Sequence, residues 1–122
     1  MDRNCPAVLR DTAETGACET RALLERWHGV DRLAYAITPR FAPTSSPKQL
    51  RAAGDLAADY PDARVHTHLA ETPQEVAWVA SLFPERRSYL DVYDHYGLLR
   101  DGTVLAHCLH LDGHDRARMA AT

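Results

Sequence analysis

No stretch of this sequence approaches the ~18 consecutive apolar residues that a membrane span requires. Its opening residues, Met1-Asp2-Arg3-Asn4, are polar where an export signal is charged and then apolar. Neither a membrane partner nor export is expected. Cysteine is scarce: Cys5, Cys18 and Cys108 are an odd number at unrelated spacings, which suits neither a disulfide framework nor a four-cysteine zinc site. A reducing, cytoplasmic setting is the expectation. Positive charge is not in excess, since 14 Lys and Arg stand against 17 Asp and Glu for a net charge of −3. The basic residues are scattered, so no footprint for nucleic acid is present. Also missing are GxGxxG, GxxxxGK[ST] and GxSxG, which weighs against dinucleotide, NTP and serine-hydrolase chemistry. There is no low-complexity stretch and no Pro/Gly/Ser linker. What remains is 122 residues, 45% apolar and 25% charged, an ordinary globular composition for one domain or a piece of one.

Apolar periodicity predicts a helix from Asn4 to roughly Val30, ending near Gly29, then a short strand over Arg32–Thr38 buried on both faces. Ser46-Pro47 reads as an N-cap and first-turn pair, opening a helix that runs to Tyr60-Pro61. Arg64–Leu69 is a second strand. Thr72-Pro73-Gln74-Glu75 matches a capping box that starts a helix ending near Phe83. Tyr89 to about Gly97 is a further short helix, Thr103–Cys108 a third strand, and Asp112-Gly113-His114-Asp115 the start of a last helix. Strands alternating with helices imply right-handed βαβ units and a parallel sheet. Periodicity alone leaves open whether that sheet is doubly wound or part of a closed βα barrel.

All three strands end in functional side chains: Arg40 after the first, His68 with Glu71 after the second, His107 on the third. In parallel βα proteins the C-terminal strand ends are where sites are built. A single histidine there is more often a satisfied core or surface residue, but two on successive strands point to a shared site. Neutral imidazole is a standard Zn²⁺ ligand, and a carboxylate three residues after one His has the spacing of a general acid and base. The plain alternative for Glu71 is a solvated charge beside a helix N-terminus. His66 shares a face with His68 one layer deeper, although a His-x-His metal pair is the weaker reading. Arg40 is either an exposed charge or a planar donor for a ligand carbonyl or carboxylate. Phe41 is core or a stacking surface, and no role is assigned to His28, His95, His110 or His114.

Thr38-Pro39-Arg40-Phe41-Ala42-Pro43-Thr44, His66-Thr67-His68-Leu69-Ala70-Glu71 and Val104-Leu105-Ala106-His107-Cys108, in that order, resemble the guanine deaminases, zinc aminohydrolases of the amidohydrolase superfamily. Met1–Asn4 and Tyr89-Leu90-Asp91-Val92-Tyr93 are further echoes, and the likeness spans nearly the whole chain. The resemblance implies that His68 is a zinc ligand and that Glu71 carries protons from water to the purine ring and the leaving ammonia. His107 would sit beside the metal, as orienting group or ligand. Arg40 would hold the purine carbonyl, and Phe41 would help form the base pocket with His68 and Glu71. His66 stands where relatives are expected to carry a non-ligand such as Gln. The H-x-E and P-C-x-x-C pattern of the small zinc deaminases is absent.

The resemblance also implies elements that this chain lacks: a His-x-His pair on the first barrel strand and an Asp on the eighth, both zinc ligands. A catalytic zinc takes about three protein ligands and one open position, and a βα barrel typically needs ~250 residues. The fold expected is therefore α/β, an incomplete section of a TIM-type barrel of the metal-dependent hydrolase kind. Residues 1–122 would hold about strands four to six with their helices, Met1 being an internal methionine and Thr122 an arbitrary stop. The parent would take guanine as its small-molecule substrate, a homodimer being one expectation for its assembly, and the isolated chain is expected to bind zinc weakly and turn nothing over. Two other readings stay open: an amidohydrolase for another aromatic amine or a chlorinated azine, and a catalytically dead βα module.

Overall fold

Every α-helix of the chain begins with a side chain folded back on its own first turn. In the computed structural model, which describes residues 1–122, the helices are α1 (Ala13–Trp27), α2 (Pro47–Asp59), α3 (Pro73–Leu82), α4 (Tyr89–His95) and α5 (Gly113–Ala120). Thr12, Ser46, Thr72, Ser88 and Asp112 accept the backbone N–H three residues on, at Thr15, Gln49, Glu75, Asp91 and Asp115. Each such cap is worth about 1 kcal/mol, so the helix starts are fixed locally before any packing acts.

Between the helices lie β1 (Ala36–Ile37), β2 (Arg64–Leu69) and β3 (Thr103–His107), forming one parallel sheet in the order β1-β2-β3. The α/β class and the alternation of strands and helices are as expected. Three elements differ. The first helix starts at Ala13 rather than Asn4, because a 3₁₀ turn at Ala7–Leu9 follows Pro6 and Thr12 then caps the helix. The first strand pairs over two residues instead of seven: Gly29 and Asp31 take positive φ (77° and 51°) in a turn that closes on Leu33, and Pro39 has no N–H to donate. It is also not buried on both faces, with Leu33 52% exposed. The third strand stops one residue early, at His107.

The sheet has two unlike faces. Val65, Thr67 and Leu69 of β2 are buried, and Val65 and Leu69 join an apolar core of 20 residues that includes Leu24, Leu50, Val79, Phe83 and Tyr93. On the opposite face the register sets His66 beside Val104 and His68 beside Ala106, and that face is only partly covered, Val104 being 53% exposed. Parallel sheets are ordinarily covered on both sides. The start of α4 is tied to the start of α5. Asp115, buried at the start of α5, accepts from Ser88 Oγ at 2.6 Å and pairs with Arg87, which also reaches Asp112 at 2.7 Å.

Candidate active site

His68 is the best-anchored side chain at the strand ends. Its Nδ1 lies 2.8 Å from the carbonyl oxygen of Arg40, which also accepts the His68 backbone N–H at 3.2 Å. A carbonyl can only accept, so Nδ1 carries the proton and Nε2 is left with its lone pair. A histidine that ligates a metal is oriented in this way, one nitrogen donating to a backbone carbonyl and the other facing the ion.

His107 reaches the same face by a change in backbone. Register pairs His107 with Leu69, whose side chain is in the core, so simple alternation would send the imidazole away from His68. A φ of 73° at His107, followed by 57° at Cys108, ends the alternation, and the His107 ring stands 5.5 Å from that of His68. Left-handed non-glycine residues cost of order 1–3 kcal/mol each and persist where surrounding bonds enforce them. Here Cys108 N–H donates to the Leu69 carbonyl at 2.8 Å, and Leu109 and His110 donate to Ala70, itself at φ 51°. Burial pushes the Cys108 thiol pKa up, and its Sγ contacts the Leu105 carbonyl, so it stays a neutral thiol.

Glu71 completes the group, with Oε2 3.4 Å from His107 Nε2. Its carboxylate and the His107 ring are about half and one third exposed, and none of the cavities is lined by His68, Glu71 or His107, so the three stand on an open shelf. Glu75, expected to complete a capping box with Thr72, is 8% exposed, and its Oε1 accepts the Glu71 N–H at 3.4 Å. His66 shares the face with its ring 6.1 Å from that of His68. Arg40 and Phe41 follow β1. The Arg40 guanidinium lies over the Phe41 ring at 5.7 Å, and the edge of Phe41 meets Trp78 at 6.3 Å. No hydrogen bond or ion pair joins that guanidinium to His68, Glu71 or His107.

Behind the shelf is a buried polar group that the sequence did not single out. The Tyr93 hydroxyl donates to the His68 carbonyl at 2.7 Å and accepts the Ala42 N–H at 3.0 Å, with the Thr67 hydroxyl at 3.1 Å and Tyr89 at 3.5 Å. Burial raises the Tyr93 phenol to about 12 and raises Tyr89 further. The available signal was two tyrosines at i and i+4 on an apolar helix face, since a buried tyrosine hydroxyl needs partners. His28 gained a structural place: Nδ1 accepts the Tyr35 N–H at 3.0 Å and Nε2 faces Asp62 at 3.1 Å, holding the Asp62 carboxyl below its usual range.

No group of three or more His, Cys, Asp or Glu side chains converges to hold a metal. His68, with Nε2 free, and His107 beside it fit as part of a ligand set, one short of the three a catalytic zinc uses.

The parallel βα sheet carries two imidazoles and a carboxylate at its C-terminal strand ends, and residues 2–122 match the amidohydrolase family of hydrolases, to which this chain belongs. Within that family it is similar to the guanine deaminase of Escherichia coli K12, with 53% identity over 122 residues, 100% of this chain and 28% of that protein. The solved structure of E. coli guanine deaminase superposes with a TM-score of 0.99, covering 100% of this chain and 28% of that one. A guanine deaminase from C. acetobutylicum, solved with guanine bound in its active site, is 31% identical with a TM-score of 0.94, over 99% of this chain and 29% of that one. The chain thus spans under a third of the length of the relatives it matches.

Proposed function

We propose that these 122 residues are the part of a guanine deaminase that supplies one zinc ligand, its neighbouring histidine and the proton carrier. In this reading β1, β2 and β3 are strands four to six of a TIM-type barrel, and the uncovered face bearing His66, His68, Val104 and Ala106 is turned to the barrel interior. The observation that carries it is the convergence of His68, Glu71 and His107, with the His68 tautomer set by the Arg40 carbonyl. Similarity to guanine deaminases over the whole chain supports the substrate.

Deamination of guanine adds water at the amino-bearing carbon and releases ammonia, leaving xanthine. The Glu71 carboxylate, half exposed beside His107, takes a proton from the attacking water and passes it to the purine ring nitrogen, then takes the second proton from the hydroxyl now on that carbon and gives it to the amine, which leaves as ammonia as the carbonyl forms. General acid–base catalysis of this kind contributes about 10²–10⁴-fold. His107 Nε2, 3.4 Å from Glu71 Oε2, stands beside that carboxylate to orient the same water. Zinc held by His68, with His107 as ligand or neighbour, would act as a Lewis acid that brings the pKa of water toward ~7. The planar Arg40 guanidinium holds the purine carbonyl, and Phe41, backed by Trp78, bounds the base pocket. Three free cysteines fit a cytoplasmic setting, and no helix is long and apolar enough to cross a membrane.

The test is a chimera in which this chain replaces its counterpart in E. coli guanine deaminase, assayed against guanine, adenine, cytosine and chlorinated triazines. Ammonia release from guanine in preference to the others is expected. Preference for a triazine, or a zinc-loaded chimera inert toward guanine, would replace the reading with another amidohydrolase activity. The 122 residues alone are expected to release no ammonia, because they hold too few ligands for a catalytic zinc.

A further inference from the structure

We propose that Tyr93 is a positioning residue for His68: its hydroxyl clamps the turn after β1 to the end of β2 and thereby keeps the Arg40 carbonyl on His68 Nδ1. The inference deepens the proposed function, from which it takes only the assignment of His68 as a metal-facing residue.

The argument rests on which atoms Tyr93 joins. The ring comes from α4 and is fully buried. Its hydroxyl spends its proton on the His68 carbonyl, 2.7 Å away, and offers lone pairs to the Ala42 N–H at 3.0 Å and the Thr67 hydroxyl at 3.1 Å. Ala42 begins a 3₁₀ turn, Ala42–Thr44, and is separated from Arg40 by Phe41 alone. One oxygen therefore binds the main chain of the metal-facing residue and the main chain of the segment that orients it. The Thr67 hydroxyl has a single proton to give, and the Arg40 carbonyl, 3.2 Å away, is its alternative acceptor to the Tyr93 oxygen.

The strand pairing that holds this region elsewhere stops short of it. β1 pairs with β2 only through Ala36 and Ile37, opposite Arg64 and Val65, and Pro39 cannot extend the ladder. Beyond Ile37 the backbone tie between the two strands is the bond from His68 N–H to the Arg40 carbonyl, and that carbonyl is the same atom that fixes the imidazole. A phenylalanine at 93 would fill the same space but leave the Ala42 N–H and the His68 carbonyl buried without this partner. The Arg40 carbonyl would then be free to drift, and the imidazole free to exchange tautomers.

The experiment reads the His68 ring directly by ¹⁵N imidazole NMR at mildly alkaline pH, without added metal, in this chain and in Tyr93→Phe, with His68→Gln for assignment. The unmodified chain is expected to show the Nδ1–H tautomer as the dominant species, and Tyr93→Phe to show a shift toward Nε2–H. Tyr89→Phe, which loosens the same cluster but removes no bond to His68, Ala42 or Arg40, is expected to leave the tautomer in place. A merely structural role for Tyr93 would lower stability in both variants and move the tautomer in neither, and a Tyr93→Phe protein that keeps Nδ1–H dominant overturns the proposal. Should Tyr93→Phe not fold, hydrogen exchange on the unmodified chain decides: an Ala42 amide that exchanges as slowly as the core amides of β2 supports the clamp, and a fast one refutes it. In the chimera, Tyr93→Phe is expected to lower zinc affinity about 10–100-fold, the range seen for outer partners of metal ligands. A tautomer shift in a chimera inert toward guanine would sink the proposed function and leave the positioning role standing.

Discussion

The carbonyl oxygen of Arg40 lies 2.8 Å from Nδ1 of His68, so the residue whose side chain the sequence offers to the substrate acts through its main chain on the neighbouring histidine. The two contributions of Arg40 are separable, because a side-chain substitution leaves the carbonyl where it is.

Arg40→Ala in the chimera is accordingly expected to raise KM for guanine or lower kcat/KM by tenfold or more while zinc content and the His68 tautomer stay unchanged. Steady-state kinetics with metal analysis on the same sample checks this. Equal loss of metal and activity would assign Arg40 a structural role instead.

Tyr93 makes alkaline stability a readout of the buried cluster. Burial raises its phenol from 10.0 to about 12, so the protonated form is favoured in the folded chain. That stability is fully present below the unfolded value near 10 and is lost as pH rises through about 12. Urea midpoints measured across that interval should fall with pH in the unmodified chain and fall less steeply in Tyr93→Phe. Equal slopes would remove Tyr93 from the titration.

Gly54 packs α2 against the turn after α4. A Cβ there would run into the carbonyl oxygen of Tyr96, a backbone atom with no room to yield cheaply. Gly54→Ala, although it improves helix propensity, is expected to destabilise by about 1–3 kcal/mol, measured by urea unfolding. A neutral or stabilising result would contradict this packing.

The helices were legible because their starts are local: Ser46-Pro47 and Thr72-Pro73-Gln74-Glu75 encode N-caps that the structure forms, although the Glu75 carboxylate takes the Glu71 N–H where a full capping box would take that of Thr72. β2 was legible for a similar reason, its alternation burying Val65, Thr67 and Leu69 and setting both histidines opposite. The extent of β1 was not. An apolar run such as Arg32–Thr38 does not reveal that a turn consumes its first half, or that only one neighbour is there to pair with it. His107 was chosen as a strand-end residue, but its way onto the His68 face depends on a left-handed backbone that no side-chain pattern announces. Tyr93 went unnoticed because its partners, Ala42 and His68, lie 51 and 25 residues away.

The central claim is that His68, Glu71 and His107 work as one metal-dependent deaminating group. Its most direct test is zinc content and guanine turnover, measured together on the chimera and on its Glu71→Gln variant. The account predicts equal zinc in the two proteins and a turnover reduced at least about hundredfold in the variant. Equal zinc with an unchanged rate would contradict it.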